Sequence, residues 1–428
     1  MARLLEYENY KDLNGVKIPD SWELSKVKYL ANYLNGFAFK PAHWTDEGIP
    51  IIRIQNLTNQ NADINKTSFI APERYHVVEG DILISWSATL DVYMWQGKKA
   101  WLNQHIYKVK VNRNKIIEKY FYWTAKWFMG ELNESSHGST MQHLTTDKFG
   151  SFDVPLPPIS EQHLITNFLN YETAQIDTLI EKQQTLIQLL KEKRQAVISH
   201  AVTKGLNPDA PMKDSGVEWL GEVPEHWDVK SYRHASKIYR GKFGHRPRND
   251  PAFYDGDYPF IQTGDVARAG KIITSYSQTL NEKGKSVSQL FPAGTLMMAI
   301  AANIGDTAIL GFEAYAPDSV VGFKPYKGID VEFLRYSFLA ALPAFEQTST
   351  QSTQANLNVD RIGTVKGAFP SHGEQKKIVI YLDNMLEHYR AIEVKANEQI
   401  KLMQERRTAL ISAAVTGKID VRGWRAPE

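Results

Sequence analysis

Side chains able to hydrogen-bond to the edges of nucleobases occur in corresponding loops of the two halves of this 428-residue chain. Arginine, lysine, asparagine and glutamine match the donor and acceptor patterns of the major groove, and serine and threonine supply smaller donors. The candidates in the first half are Lys40, Arg53, Gln55, Asn56, Trp86, Ser87, Ser139, Thr140 and Gln142. The candidates in the second half are Lys242, Arg246, Arg248, Gln262, Thr263, Asn303, Ser352, Thr353, Gln354 and Asn356. Any one of these residues is ordinary in a loop. As a set that recurs in both halves, they predict DNA contacts of two kinds. Loops whose sequences differ between the halves would contact bases, and the Ser-Thr loops that the halves share would contact phosphates.

Two stretches of the chain are strongly basic, although the net charge is only +2. Residues 92–117 contain six lysines and arginines and no acid, and the same is true of residues 232–249. Either stretch alone is typical of a solvated surface, whereas one in each half favours contact with a nucleic acid. Lys242, Arg246 and Arg248 are therefore predicted to include phosphate contacts.

No set of residues in the sequence supports catalysis. Asp250-Pro251-Ala252-Phe253 differs at its third position from the Asp-Pro-Pro-Phe motif of amino-methyltransferases, and a Phe-x-Gly-x-Gly loop for S-adenosylmethionine does not occur. Gly284-Lys285-Ser286 lacks the preceding glycine of a phosphate-binding loop, because position 279 is threonine. The 12 histidines lack metal-ligand spacing, and there is no cysteine. The sequence predicts a non-catalytic protein with no metal or cofactor of its own, in a reducing, cytoplasmic setting.

The chain repeats itself once at long period. Glu161-Gln162 recurs as Glu374-Gln375 and Ala201-Val202-Thr203 as Ala414-Val415-Thr416, both at the same offset along the chain. The Pro-x-x-Trp sequence at Pro19 recurs at Pro224, where the offset is shorter. The two copies of the repeat therefore have the same length along their second part and differ in length within their first part. A duplicated unit with an internal pseudo-dyad can contact two related sites on one partner.

The first part of each repeat is predicted to be a mixed globular domain. Strands are predicted at residues 50–54 and 80–84 and at the corresponding residues 259–263 and 294–298. The second part has apolar residues at alternating steps of three and four, which predicts a long coiled-coil helix. Ser160 and Ser371 are the predicted N-caps, and Gly205 and Gly417 the predicted ends. The apolar face of each helix must be buried against a partner, and the other long helix is the expected one. A pseudo-dyad would pair the two helices in antiparallel fashion.

The predicted fold class is α+β, with two mixed α/β domains separated by two long antiparallel coiled-coil helices and related by an internal pseudo-two-fold repeat. The predicted boundaries are residues 1–157 (domain 1), 158–205 (helix 1), 206–222 (linker), 223–370 (domain 2), 371–418 (helix 2) and 419–428 (tail). The helix residues predicted to mediate coiled-coil and partner contacts are Leu179, Leu186, Leu190, Ile392, Met403 and Leu410.

Two segments carry a family resemblance. The helix end at residues 192–206 (EKRQAVISHAVTKGL) and the linker at residues 212–227 (MKDSGVEWLGEVPEHW) resemble the specificity subunit of type I restriction–modification systems, and the order of parts agrees over almost the whole chain. The resemblance implies two target-recognition domains, each binding half of a bipartite, asymmetric sequence in double-stranded DNA. It also implies two methyltransferase subunits that carry S-adenosylmethionine and modify adenine, and motor–nuclease subunits that use ATP and Mg²⁺. The chain itself would not be catalytic.

Two other functions stay open at the level of sequence. The coiled coil alone is compatible with a scaffold whose main task is to assemble other proteins. A self-sufficient methyltransferase would rest only on Asp250 to Phe253, and it would require methyl transfer by the isolated chain.

Overall fold

The computed structural model describes residues 6–13, 15–59, 61–87, 89–134, 146–301, 305–347 and 359–426. The chain forms two compact units. The first comprises Met1–Gln183 and Asn397–Glu428, and the second comprises Gln184–Ala396. Two long helices contribute to both units, and the α+β fold class predicted from the sequence is confirmed. Among the described residues, no helix combines the length and apolar character needed to cross a membrane.

The first unit is built on two four-stranded sheets, with strand orders β4-β11-β8-β9 and β6-β5-β10-β7. Its strands are β1 (Tyr10–Leu13), β2 (Val16–Pro19), β3 (Glu23–Lys26), β4 (Ala31–Asn35), β5 (Ile49–Ile52), β6 (Lys66–Thr67), β7 (His76–Val77), β8 (Ile82–Ser85), β9 (Asp91–Met94), β10 (Ala100–Leu102), β11 (Ile106–Val111) and β12 (Asp153–Leu156). Its helices are α1 (Ile54–Thr58), α2 (Glu118–Glu134), α3 (Thr146–Ser151) and the first part of α4 (Ile159–Lys204). The β4 sheet is antiparallel, whereas β10 runs parallel to β5 in the other sheet.

The second unit has a five-stranded and a four-stranded sheet, with orders β16-β24-β21-β22-β18 and β19-β17-β23-β20. Its strands are β13 (Met212–Asp214), β14 (Glu222–Pro224), β15 (Asp228–Ser231), β16 (Ser236–Arg240), β17 (Tyr254–Phe260), β18 (Ile272–Ile273), β19 (Gln278–Leu280), β20 (Gln289–Phe291), β21 (Leu296–Ala299), β22 (Thr307–Leu310), β23 (Ala314–Ala316), β24 (Val320–Pro325) and β25 (Lys366–Phe369). Its helices are α5 (Tyr232–Ala235), α6 (Thr263–Arg268), α7 (Glu282–Ser286), α8 (Val331–Gln347), α9 (Val359–Thr364) and the first part of α10 (His372–Val415).

The element bounds show where the two repeats diverge. The helices α2 and α3 and the strand β12 correspond to α8, α9 and β25 at the same offset that relates the two Glu-Gln pairs. The strands β3 and β4 correspond to β15 and β16 at the shorter offset of the Pro-x-x-Trp sequences. After that point β8, β10 and β11 correspond to β21, β23 and β24 at an offset one residue longer than that of the Glu-Gln pairs. The difference in length therefore arises between β4 and β8 in the first unit and between β16 and β21 in the second.

The long helices run antiparallel within each unit, as predicted. In the first unit, Ile165 and Leu169 near the start of α4 share a core with Ala414 near the end of α10. In the second unit, Val202 near the end of α4 shares a core with Ile378 near the start of α10. Charged pairs join the same helices in each unit: Arg407 Nε lies 2.8 Å from Asp177 Oδ1, and Arg194 Nη1 lies 3.5 Å from Glu393 Oε2. The two arginines are related by the repeat.

Each Pro-x-x-Trp sequence packs against a glycine at a helix end. In the first unit, a Cβ atom on Gly417 would lie 2.5 Å from Pro19 Cδ and 3.4 Å from Trp22. In the second, a Cβ atom on Gly205 would lie 3.1 Å from the ring of Trp227. Both glycines have positive φ, +71° and +75°, which ends each helix as predicted. The first globular part is thus attached to the end of the last long helix.

The predicted N-cap of the long helix is correct in the second repeat and wrong in the first. Ser371 caps α10, because its hydroxyl accepts a hydrogen bond of 3.3 Å from the amide of Glu374. Ser160 does not cap α4, which already begins at Ile159. The amides of Glu161 and Gln162 donate instead to the carbonyl of Pro158. Pro158 thus supplies the first carbonyl acceptor of α4.

A buried glutamine ties each long helix to its globular part. Gln162 Nε2 donates to the carbonyls of Lys115 and Pro157, each at 2.9 Å, and its Oε1 accepts from the amide of Ile117 at 2.9 Å. The corresponding bonds of Gln375 join the carbonyl of Gly328 (3.1 Å), the carbonyl of Pro370 (2.8 Å) and the amide of Asp330 (2.8 Å). Both side chains are buried. The glutamine of the recurring Glu-Gln pair therefore forms the same three-bond anchor in both units.

The six apolar helix residues predicted to mediate contacts differ in exposure. Leu190 is buried, Leu410 packs against the core of the first unit, and Ile392 and Met403 are half-buried. Leu179 and Leu186 are 49% and 37% exposed, so they are not buried between the helices, and their assignment to partner contacts stays a prediction. A straight helix drifts about 20° per heptad from an ideal 3.5-residue repeat, which carries some apolar positions out of the contact.

Candidate nucleic-acid interface

In the first unit the chain leaving β4 lies directly against the loop before β11. In the second unit the chain leaving β16 lies in the same way against the loop before β24. We call these places the first crossing (residues 36–40 with 103–105) and the second crossing (residues 241–248 with 317–319). At the first crossing, the amide of Gly36 donates to the carbonyl of Ile106 at 3.0 Å. At the second, the amide of Gly241 donates to the carbonyl of Val320, also at 3.0 Å. The repeat therefore preserves the contact although the loop sequences differ.

Only glycine fits at these two positions. A Cβ atom on Gly36 would lie 2.0 Å from the carbonyl oxygen of Asn103, and one on Gly241 would lie 1.8 Å from that of Pro317. The absence of a side chain at both glycines permits two backbone segments to touch. The crossing is a fixed platform for the side chains that it carries.

The second crossing opens into a concave recess of about 280 Å³. Two predicted candidates, Arg248 and Gln262, meet there although they come from different loops. Sequence reasoning missed three further polar residues of the recess: Asn249, Gln278 and Ser319. The side-chain amide of Gln262 donates to Oε1 of Gln278, so neither residue is isolated in the recess. The three had no signal in the sequence, because strand pairing alone brings them to this place.

The two arginines of the second crossing share one carboxylate. Arg248 Nη2 lies 2.5 Å and Arg246 Nη2 3.3 Å from Oδ2 of Asp318. Arg246 Nη1 also donates to the carbonyls of Phe243, at 2.7 Å, and His245, at 2.9 Å. Both guanidinium side chains nevertheless remain about half exposed, at 56% and 50%. They are held in place and still accessible to a ligand.

Lys242 has a different character. Its side chain is exposed, and its ammonium group forms no hydrogen bond or ion pair with the part of the chain that the structure describes. A flexible, unpaired ammonium group suits contact with phosphate, which requires charge but little orientation.

We expect Lys242→Ala to weaken binding to every DNA sequence to a similar extent. Losing one phosphate contact should reduce the slope of log affinity against log salt concentration by about one unit. Titration of wild type and variant with the same duplex at several salt concentrations measures both quantities. A change in the preferred base would instead place Lys242 among the base-contacting residues.

The first crossing carries aromatic and amide side chains in place of the arginines. The indole Nε1 of Trp86 donates to Asn35 Oδ1 at 3.1 Å, and its ring stacks on Tyr107 with centroids 5.8 Å apart. His105 lies against the same indole at 4.9 Å, with φ of +74°. A non-glycine residue at positive φ stores backbone strain, which is common at functional sites. Ser87 follows Trp86 and is half-buried.

Sequence reasoning did not identify Asn35, Asn103, Gln104 or His105. Asn103 to His105 form the short connection between β10 and β11. Within the described residues, Asn103 Oδ1 and His105 Nδ1 are buried without a hydrogen-bond partner. Buried polar atoms without partners are uncommon in folded proteins. Neither residue lies in a motif, so no sequence signal could have selected them.

Another pair of candidates occupies equivalent positions at the start of a short helix. Arg53 is the N-cap residue of α1, and Gln262 is the N-cap residue of α6. Their amides donate to Asn56 Oδ1 at 3.1 Å and Asp265 Oδ2 at 2.9 Å, respectively. The same local backbone therefore presents arginine in one unit and glutamine in the other, the two side chains that pair with guanine and adenine. Thr263 follows Gln262 and is half-buried.

The remaining candidates of the first unit have separate surroundings. Arg53 Nη1 donates to Asn65 Oδ1 at 2.8 Å. Nδ2 of Asn56 donates to the carbonyl of Asp63 at 3.1 Å, and Gln55 Nε2 donates to the same carbonyl at 3.3 Å. Asn56 is thus occupied in shaping its own loop, whereas Gln55 is exposed. Lys40 is exposed at the start of a single turn, Pro41–His43.

Eight predicted candidates lie outside the described residues. They are Ser139, Thr140, Gln142, Asn303, Ser352, Thr353, Gln354 and Asn356. Their assignment to DNA contacts stays a prediction from the sequence.

The side chain of Asp250 serves the fold of the second crossing. Its Oδ1 accepts from the amide of Ala252 at 3.0 Å, and its Oδ2 lies 2.9 Å from Nε2 of His245. The hydrogen bond from Ala252, together with His245, lowers the pKa of this carboxyl group. Phe253 stacks on the imidazole of His245 with centroids 4.0 Å apart. Both features expected to orient an exocyclic amine in a methyltransferase, the acid and the aromatic ring, are engaged within the loop.

Comparison with known proteins gives a consistent picture over both halves of the chain. A family model described as the type I restriction modification DNA specificity domain matches residues 19–189 and 224–402. The chain is 24% identical over 434 residues to the type I restriction enzyme EcoBI specificity subunit of Escherichia coli, covering 97% of this chain and 90% of the relative. It is 26% identical over 440 residues to the type I restriction enzyme MjaVIII specificity subunit of Methanocaldococcus jannaschii, covering 97% of each protein.

Two solved structures have the same fold. One is a chain from a structure on complex assembly and conformational transition of the type I R-M system, with a TM-score of 0.66, 14% identity, and coverage of 93% of this chain and 98% of that one. The other is the HsdS subunit from Thermoanaerobacter tengcongensis, with a TM-score of 0.51, 15% identity, and coverage of 95% and 99%. Because the family model covers most of both repeats, this chain belongs to the family of type I restriction–modification DNA specificity subunits.

Proposed function

We propose that this chain is a non-catalytic subunit that recognises a bipartite, asymmetric DNA sequence, with each unit binding one half. The observation that supports the proposal is that equivalent positions in the two units hold side chains with different hydrogen-bonding groups. Arg53 in the first unit corresponds to Gln262 in the second, and they are the N-cap residues of the corresponding short helices α1 and α6. Gln104 at the first crossing corresponds to Asp318 at the second. A shared backbone with different hydrogen-bonding groups gives two unlike half-sites.

The long helices support a second part of the proposal, the docking of two methyltransferase subunits. Several large apolar side chains on these helices are exposed to solvent: Leu179, Leu186, Leu189, Ile380, Val394 and Leu402. Burying such side chains against a partner protein would remove apolar surface from water. The relatives are named specificity subunits of type I restriction enzymes, and a structure of similar fold concerns assembly of such a system. S-adenosylmethionine would then be bound by the methyltransferase subunits, and ATP and Mg²⁺ by motor–nuclease subunits.

Mapping methylated adenines in cells that carry the complete system tests the proposal. The expected result is one split motif, with two specified segments around an unspecified gap and modified adenines on opposite strands. Cells that lack this chain serve as the control and should lose the motif. A continuous motif would contradict the bipartite proposal. A complex that assembles but has no preference between target and random duplexes would favour a scaffold function instead.

A further inference from the structure

The carboxylate of Asp318 lies between two guanidinium groups that reach it from another loop. Arg246 and Arg248 precede Asp318 by about 70 residues, and both direct an Nη2 atom to its Oδ2 atom. The carboxylate itself is 42% exposed. An exposed ion pair contributes little to stability, because solvent screens it. Stability therefore does not explain why an acid lies between two half-exposed arginines.

An acid at this position weakens general attraction to DNA, since it repels phosphates and cancels part of the arginine charge. Phosphate contact alone would be served better by a neutral residue. A base edge, in contrast, requires the guanidinium plane to be oriented before binding. We infer that Asp318 is a positioning residue, which holds Arg246 and Arg248 in the orientation that contacts the bases of one half-site. The inference rests on the proposed function.

The surroundings of the two arginines support orientation as the role of Asp318. The second guanidinium nitrogen of Arg246 is fixed by the carbonyls of Phe243 and His245. The carbonyl of Arg248 accepts a hydrogen bond from the hydroxyl of Tyr254, which fixes the backbone from which this arginine projects. Preorganised side chains lose less conformational entropy on binding. At the corresponding position the first unit has Gln104, which is neutral, so the arrangement is confined to the half-site of the second unit.

The substitution Asp318→Asn separates orientation from charge, because it keeps the shape of the side chain and removes the negative charge. We expect two effects of opposite sign. Affinity for a duplex without the target should rise, with a salt dependence steeper by up to about one unit. Discrimination between the preferred and other bases should fall about tenfold, and only within one half-site. The full-length wild-type and variant chains, each with its methyltransferase partners, are compared by selection from randomised duplexes and by titration with a fixed non-target duplex.

Two further variants make the result specific. Glu218→Gln makes the same charge change at an exposed residue of the linker, and it should leave discrimination unchanged. Asp318→Glu keeps the charge and should restore much of the discrimination. If Asp318→Asn binds all duplexes more tightly but keeps full discrimination, the arginines contact phosphates only and the inference is overturned. If the wild-type complex itself selects no split motif, the proposed function fails, independently of any variant.

Discussion

Replacement of Gly241 by alanine is expected to abolish recognition of one half-site while the long helices stay folded. The added Cβ atom would lie 1.8 Å from the carbonyl oxygen of Pro317 and 2.4 Å from that of Val320, both of which are backbone atoms. Backbone cannot yield as a flexible side chain does, so the second crossing must open. The loop that moves carries Asp318 and with it the orientation of two arginines. Losing two base contacts of ~1–3 kcal/mol each lowers discrimination by roughly 100-fold or more.

The measurement is the base preference at each half-site, with far-UV circular dichroism as the test of helix content. Gly244→Ala is the matched control in the same loop, because its Cβ atom would lie 3.6 Å from the nearest atom, the carbonyl oxygen of Val287. It should bind as the wild type does. Gly36→Ala, which meets the carbonyl oxygen of Asn103 at 2.0 Å, should affect the other half-site. Normal base preference in Gly241→Ala would show that the second crossing does not position base contacts.

Replacement of Gln375 by leucine is expected to lower the free energy of unfolding of the second unit by about 3 kcal/mol, because two carbonyls and one amide lose their partner at a buried position. Leucine has a similar size but cannot hydrogen-bond. Each buried polar group left without a partner costs ~1–3 kcal/mol, and local relaxation or water recovers part of the total. Urea denaturation followed by circular dichroism measures the loss.

The same substitution at Gln162 should destabilise the first unit to a similar extent, since the three bonds are the same in kind. Gln184→Leu, on an exposed face of α4, is the control. Surface substitutions of this kind change stability by about 0.5 kcal/mol or less. If Gln375→Leu is as stable as Gln184→Leu, the glutamine does not anchor the helix, and the recurrence of the Glu-Gln pair needs another explanation.

Several elements could be predicted from the sequence because their signals are local. The strands at Ile52 and Ile84 and their counterparts at Phe260 and Met298 follow from short apolar runs beside turn residues. The long helices follow from sustained apolar periodicity and end at glycine as predicted. The start of α4 was mispredicted at Ser160, because a proline entry and a serine cap are both acceptable helix starts and only the backbone distinguishes them.

The candidate site was less accessible to prediction. Arg248 and Gln262 were both selected for their chemistry, but nothing in the sequence indicates that they share a recess with Gln278 and Ser319. Asn56 was selected for the same reason and instead bonds to its own loop. Composition identifies side chains that are able to contact a base. Whether such a side chain is free or already hydrogen-bonded depends on its neighbours in the fold.

The sequence by itself determined the duplication, the long paired helices, the mixed α/β class and the family resemblance. All four depend on periodicity or on matching residues along the chain, and none requires a fold to be seen. Only the tertiary structure decided which glycines are contact points, which helix end receives each Pro-x-x-Trp sequence, and that Asp318 holds two arginines. The physical reason is that these contacts join strands and loops remote in sequence. Their geometry depends on strand register, where a shift of one residue would turn each side chain to the opposite face.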